Sequence, residues 1–313
     1  MGWLYEAFGA VLNFIYGFVY DYGVSIILFT LLIKIILLPL TLKQQKSMTK
    51  MQRMQPKLKE IQEKYKDDKD KSAQETMKLY KEYGVSPMGG CLPLLIQFPI
   101  LIAFYNVIRE PVEYVFKTGK PLAELFKQYN ISSEGGGAQI ELAKAMGKDF
   151  DFLGLDISAV PWDELKGIFT NGKINWIVLT VLIIPILACV TTYLTSKVST
   201  AINKTKKEEK KEEQKPKRIL SPDQKSSVPN TGESMSKSMT YMMPLMTLFF
   251  TFTLPAAMGL YWTVSNVLSM LQTVLLNNYY NRKLAVEIEA QDKIREEKIQ
   301  EKMKKYNMKK KRG

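Results

Sequence analysis

The 313-residue sequence predicts an all-α polytopic membrane protein: five transmembrane helices around a hydrophilic cavity, with a helical hairpin on the cytoplasmic side. Three observations predict it. Apolar residues are gathered into blocks near the ~18–20 residues that span a bilayer. The 44 Lys and Arg, against 31 Asp and Glu, are concentrated between alternate blocks. A stripe of small polar residues marks the last block, and one lysine interrupts the first. A net charge of +13 and a mean hydropathy of -0.12 would otherwise suggest an ordinary basic soluble chain.

Residues 1–21 carry Phe8, Phe14, Tyr16, Phe18 and Tyr20 in an apolar stretch too short to cross, so they are expected to lie at the interface. No Lys or Arg precedes Lys34, no early cysteine is present, and Glu6 stands where a myristoylation motif takes Ser or Thr. Neither a cleaved signal nor a lipid anchor is therefore expected. Transmembrane 1 covers 22–42. Residues 43–88 follow as the cytoplasmic hairpin. Met51, Met54, Leu58, Ile61 and Tyr65 recur in threes and fours, Asp67–Lys71 is a charged turn, and Ala73, Met77, Tyr80 and Gly84 continue on a second helix. Pro56 is expected to kink the first of these helices. The Met-rich stripe is either a flexible recruitment face or the packing surface between the two helices, and packing is favoured.

Transmembrane 2 covers 89–109. The extracellular region 110–172 contains Gly135–Gly137 and apolar patches around Leu125 and Phe152, read as a small helical cap with a mobile loop. Transmembrane 3 covers 173–196. Residues 197–237, dominated by Lys, Glu, Ser and Pro, are read as a charged, disordered cytoplasmic loop. Transmembrane 4 covers 238–255 and transmembrane 5 covers 256–280, leaving 281–313 as a basic cytoplasmic tail. Residues 43–88, 197–237 and 281–313 are each net positive, whereas 110–172 is net negative. Basic segments stay inside, so the N-terminus is expected outside and the C-terminus in the cytoplasm of a bacterial cell membrane.

With no histidine, His–metal sites, Ser–His–Asp triads and His proton relays are excluded. Cys91 and Cys189 lie in apolar blocks without zinc spacing and are read as packing residues. No Walker motif is present. No catalytic residue, metal or cofactor is expected.

Lys34 lies about 13 Å along the helix from Lys43. A lysine at mid-helix costs roughly 2.5–3.5 kcal/mol on insertion scales. All the acidic residues lie outside the five spans, so no intramembrane counter-ion offsets that cost. Either the side chain snorkels to the interface or it sits in a wet cavity. The other spans favour a cavity. Trp262, Ser265, Asn266, Ser269, Gln272 and Thr273 fall on one helical face, Thr30 and Thr41 share a face with Lys34, Gln97 lies in span two, and Thr191 and Thr195 lie in span three. The competing account is that hydroxyls and amides merely join helices. Pro39, Pro93, Pro99, Pro185, Pro244 and Pro255 in or beside the spans offer kinks that could splay a groove open.

The segment GGCLPLLIQFPILIAFYNVIRE (Gly89–Glu110) resembles the second-span signature of the YidC/Oxa/Alb membrane protein insertases, and GLYWTVSNVLSMLQ (Gly259–Gln272) resembles their last-span signature. Leu31–Tyr65 is similar to their first span and hairpin, and FLGLDIS (Phe152–Ser158) to the segment before their third span. The single outer segment resembles the Gram-positive branch. The resemblance implies a hydrophilic groove open to the cytoplasm and to lipid, closed outside, holding one basic residue. The family's usual Arg is Lys34 here, which keeps the charge but gives up bidentate pairing. The lipoprotein start of many Gram-positive members is missing, and the 197–237 loop looks longer than theirs.

An insertase is therefore expected. The hairpin residues Met51, Met54, Leu58 and Ile61 would contact a nascent membrane protein first. Lys34, Thr30, Gln97, Trp262, Ser265, Asn266, Ser269 and Gln272 would line the groove, and burial of the apolar helix in the lipid bilayer would drive insertion without nucleotide. The resemblance also implies ribosome contact through the tail, at Arg282, Lys283, Lys304, Lys305, Lys309, Lys310, Lys311 and Arg312; the alternative is orientation and anionic-lipid contact. Cooperation with the Sec translocon is open, and a monomer is expected to act. An ion or small-solute transporter is the alternative class, disfavoured by the lack of intramembrane acids and repeats. An intramembrane enzyme is disfavoured by the lack of an Asp dyad or a Ser–His pair.

Overall fold

The computed structural model describes residues 2–86, 92–171, 176–203 and 231–310. They are mostly helical: α1 (Gly2–Val19), α2 (Tyr22–Lys64), α3 (Lys69–Glu82), α4 (Leu92–Arg109), α5 (Pro111–Tyr114), α6 (Leu122–Gln128), α7 (Ala138–Ala145), α8 (Pro161–Asn171), α9 (Trp176–Asn203), α10 (Thr231–Thr253) and α11 (Ala256–Lys310). Between α7 and α8 lies a two-stranded antiparallel hairpin, β1 (Asp151–Phe152) and β2 (Leu155–Asp156), which an all-helical expectation lacked. Its turn residues Leu153 and Gly154 both have positive φ, the geometry of a tight two-residue hairpin.

Two helices are long and apolar enough to cross a membrane among the described residues, over Tyr22–Met51 and Leu182–Ser199; Leu95–Arg109 and Tyr241–Thr253 are shorter apolar helices. Pro99, Pro185 and Pro244 sit inside α4, α9 and α10. Helix α2 continues through Pro39 and Pro56. The loop predicted over 197–237 is helical at both ends, because α9 continues to Asn203 and α10 begins at Thr231; the middle of that loop and Cys91 lie outside the described residues. Cys189 is a half-buried free thiol.

The chain forms two compact units. The first comprises residues 1–41, 93–198 and 236–271. Its entry is set by Tyr20, whose φ of 57° ends α1, and by Asp21, whose carboxylate accepts from the Val24 amide and caps α2. The core is aromatic: Phe29 stacks on Phe104 at 5.1 Å, Phe104 leans on Tyr261 at 4.8 Å, and Phe8 meets Phe29 edge-on. In α1, Phe8 and Leu12 enter this core while Trp3, Phe14 and Phe18 stay exposed, an amphipathic division suited to an interface. Leu125 and Phe126 of α6 join the core, and the Arg109 guanidinium anchors the glycine-rich loop through the Gly136 carbonyl at 2.9 Å.

The second unit comprises residues 42–92, 199–235 and 272–313. Here the later part of α2 packs on α3. Asp68 caps α3 by accepting from the Lys71 amide, and Gly84, at φ +60°, closes it, with the Val85 amide donating back to the Tyr80 carbonyl. Met54, Leu58 and Ile61 interlock with Leu79, Tyr83 and Val85, and Met51, Tyr65 and Tyr80 flank them. The stripe expected on α3 is therefore out of phase. Ala73, Met77 and Gly84 are exposed, because Leu79 and Tyr83, four apart, present the larger apolar face. The Lys50 ammonium donates to the Glu287 carboxylate, Lys46 approaches the same group at 3.4 Å, and Arg295 meets Glu82 at 3.2 Å.

Candidate functional site: a lysine between two apolar helices

Lys34 sits in the apolar part of α2, between a buried face (Ile26, Phe29, Thr30) and the exposed Ile35 and Ile36. Its ammonium donates to the Ser269 hydroxyl of α11 at 2.7 Å, and Ser269 donates on to the Ser265 carbonyl at 2.8 Å. An ammonium carries three N–H donors. Among the described residues Ser269 is the one acceptor found for it. No Asp or Glu occurs in 22–42 or 256–280, the two segments that hold this pair, so neither supplies the ammonium with a counter-charge. Such a site attracts anionic or carbonyl-rich groups.

The other predicted lining residues divide among different neighbours. Gln97 of α4 donates to the Tyr261 hydroxyl at 2.7 Å. Asn266 donates to Thr192 at 2.7 Å and lies 3.4 Å from Thr191, while the Thr195 hydroxyl reaches the Asn266 carbonyl at 3.2 Å. Trp262 lies parallel to the Phe250 ring at 6.4 Å. Thr30 is fully buried and bonds back to the Ile26 carbonyl. Ser265 is buried and Ser269 is half-buried beside Lys34. Gln272 belongs to the second unit. The stripe on α11 thus faces several helices: Ser269 meets α2, whereas Asn266 joins α9 and Trp262 meets α10. For Asn266 and Gln97 the helix-joining account describes what their polar atoms do here, whereas the Thr30 hydroxyl is satisfied within α2.

The hairpin residues pack on one another. Met54, Leu58 and Ile61 are buried in the α2–α3 core, the packing role favoured by their spacing, and Met51 is partly buried beside them. Of the tail residues, Lys304 is exposed on α11. Arg282, Lys283, Lys305, Lys309 and Lys310 lie on α11 with side chains outside those described, and Lys311 and Arg312 lie outside the described residues. The sequence reading missed Tyr261, Thr192 and Thr247. Tyr261 stands inside the quoted GLYW motif, and the threonines recur along apolar helices, so each carried a signal but no indication of its partner.

The family model described as 60Kd inner membrane protein matches residues 14–283, from the middle of α1 into α11. The chain belongs to this family, the YidC/Oxa/Alb membrane protein insertases. It is 32% identical over 298 residues to Membrane protein insertase YidC 2 of Listeria innocua, covering 94% of this chain and 77% of that relative. It is 33% identical over 277 residues to Membrane protein insertase YidC of Clostridium perfringens, covering 88% and 86%. A shorter, stronger match, 49% over 111 residues, links it to Membrane protein insertase YidC of Cellvibrio japonicus, covering 36% of this chain and 20% of that relative. Members of the family are bacterial membrane proteins in each of these cases. The match ends at residue 283, so the tail residues from Lys304 onward lie beyond it.

Proposed function

We propose that this protein is a membrane protein insertase that moves hydrophobic segments of nascent membrane proteins from the cytoplasm into the bilayer. The observation that carries the reading is the Lys34–Ser269 pair, a charge held between apolar helices with no carboxylate to neutralise it. Family membership and the names of the relatives support it. Five helices cross the membrane at 22–42, 89–109, 173–196, 238–255 and 256–280, with the N-terminus outside and the three basic segments in the cytoplasm. The helices enclose a hydrophilic groove open to the cytoplasm and to lipid.

A client arrives with a short polar or acidic segment ahead of an apolar helix. The acidic segment enters beside Lys34, whose ammonium and the Ser265–Ser269 edge take over hydrogen bonds that water provided. This lowers the cost of desolvating charge and peptide groups. The apolar helix then leaves sideways into lipid, and burial of about 20 apolar residues supplies the free energy, so no nucleotide is consumed. Ribosomes engage the basic tail, drawn by charge. One copy suffices, alone or beside the Sec translocon. The protein performs no covalent chemistry in this scheme.

The test is insertion of a single-span client with an acidic outer segment into vesicles carrying defined variants. Lys34→Arg is expected to keep activity near the parent's. Lys34→Ala is expected to lower insertion about tenfold or more, the scale set by one charge-assisted hydrogen bond. Full insertion of the acidic client by Lys34→Ala at equal protein level would remove the charge from the mechanism.

A further inference from the structure

The segment 150–159 touches the first turns of both helices that hold the Lys34–Ser269 pair. On α2, the Phe152 ring rests against Gly23 so closely that a Cβ at position 23 would stand 2.3 Å from the ring. On α11, the Ala256 amide donates to the Ala159 carbonyl at 2.8 Å and the Ala257 amide donates to the Ile157 carbonyl at 2.7 Å. Ala256 and Ala257 are fully buried, so these amides would otherwise be orphaned helix donors in a dry place.

One carboxylate organises the segment. Asp156 accepts from the Ser158 amide at 3.0 Å and from the Ser158 hydroxyl, and its other oxygen accepts from the Lys144 ammonium at 2.8 Å. This turns the chain after β2 so that the carbonyls of Ile157 and Ala159 point at α11. Burial works to raise the carboxyl's pKa, but the Lys144 and Ser158 hydrogen bonds outweigh it and hold Asp156 below its ordinary value. Lys34 lies twelve residues along α2 from Tyr22 and Ser269 thirteen along α11 from Ala256. Both are therefore about 18–20 Å along their helices from the strapped ends.

We propose that Asp156 is a positioning residue for the Lys34 site, holding the 150–159 segment as a strap across the outer ends of α2 and α11 that keeps outside water from the space beside Lys34. The proposal rests on the orientation given under the proposed function, in which this segment is extracellular. It adds to that reading the residue that builds the outer closure.

The experiment uses the full chain with Cys91→Ala, Cys189→Ala and Leu37→Cys, which places one thiol at a half-buried position a helical turn from Lys34. A charged, membrane-impermeant maleimide is added to right-side-out vesicles and, separately, to inverted ones. Outside labelling is expected to be slow with Asp156 intact. It is expected to rise about tenfold in Asp156→Asn, which loses the charge-assisted bonds, and by less in Lys144→Met, a surface change that spares the fold. Asp156→Glu is expected to stay within about twofold of the parent, because it retains the charge. Labelling from the cytoplasmic face is expected to be unchanged throughout. An unchanged outside rate in Asp156→Asn overturns the proposal. An equal rise from both faces also overturns it, since that marks general loosening. Labelling requires no client, so an inactive strap and an uninvolved Lys34 give different results in the two assays.

Discussion

A methyl group added at Gly23 would run into the Phe152 ring and Cβ, with Gly23 buried in the first turn of α2 and the half-buried Phe152 held in β1. Gly23→Ala is therefore expected to destabilise the first unit by about 1–3 kcal/mol, the ordinary cost of overpacking. Thermal unfolding in detergent micelles measures it, and an unchanged midpoint would contradict the close contact. The glycine was not marked out by the sequence, because nothing in YGVS says that an aromatic side chain from more than a hundred residues away closes on it. Lys34 is the opposite case: a lysine in an apolar run with no acidic partner stands out at once. Its acceptor, Ser269, was legible only as one member of a face. A helical face fixes which residues point the same way, and leaves open which neighbour each one meets. That is why Asn266 and Ser269, three residues apart, reach α9 and α2 respectively.

The α2–α3 pair illustrates both the reach and the limit of periodicity. Spacing alone placed Met54, Leu58 and Ile61 on one stripe, and they form one side of the packed seam. On α3 two stripes were available, and the one with Leu79 and Tyr83 wins because it buries more apolar area. The tie from this unit to α11 was illegible, since Glu287 is an acid lost among basic residues until Lys46 and Lys50 are seen beside it. The hydrogen bond from Lys50, reinforced by the charges of Lys50 and Lys46, outweighs burial and holds the Glu287 carboxyl below its ordinary value of 4.5. The native state thus prefers the ionised form. Its contribution is complete above the ordinary value and is lost as pH falls through the lowered one. Amide hydrogen exchange across residues 46–61 is expected to lose protection as the pH falls below the ordinary carboxylate range. Glu287→Gln is expected to have the weaker protection already at neutral pH, and to lack that acid step. The effect is modest because Glu287 is about one-third exposed.

For the molecule as a whole, the five crossings proposed above are odd in number and would place the termini on opposite sides. Alkaline phosphatase fused before residue 1 is expected to be active and a fluorescent protein fused after residue 313 to glow, because the first matures outside and the second inside. Activity of the same reporter at both ends would require an even number. The helical class was readable from block lengths and charge segregation, which are long-range averages that survive local errors. The β1–β2 hairpin was not, because two residues per strand offer no pattern, and its existence depends on the helices it touches. An insertase that releases helices into lipid, as proposed above, must also let its own helices part. The threonine hydroxyls where α9 meets α10 and α11 are suited to that. Thr192 bonds the Ala188 carbonyl as well as approaching Thr247, Thr247 bonds the Met243 carbonyl, and Thr195 bonds the Thr191 carbonyl. Each has an acceptor within its own helix, so separating α9 from α10 or α11 strands none of these three donors in hydrocarbon. On α11, Asn266 has no such refuge among the described bonds, so its amide is the part of the α9–α11 seam that resists opening; under the proposed function, a client's peptide carbonyls would take the place of the threonines.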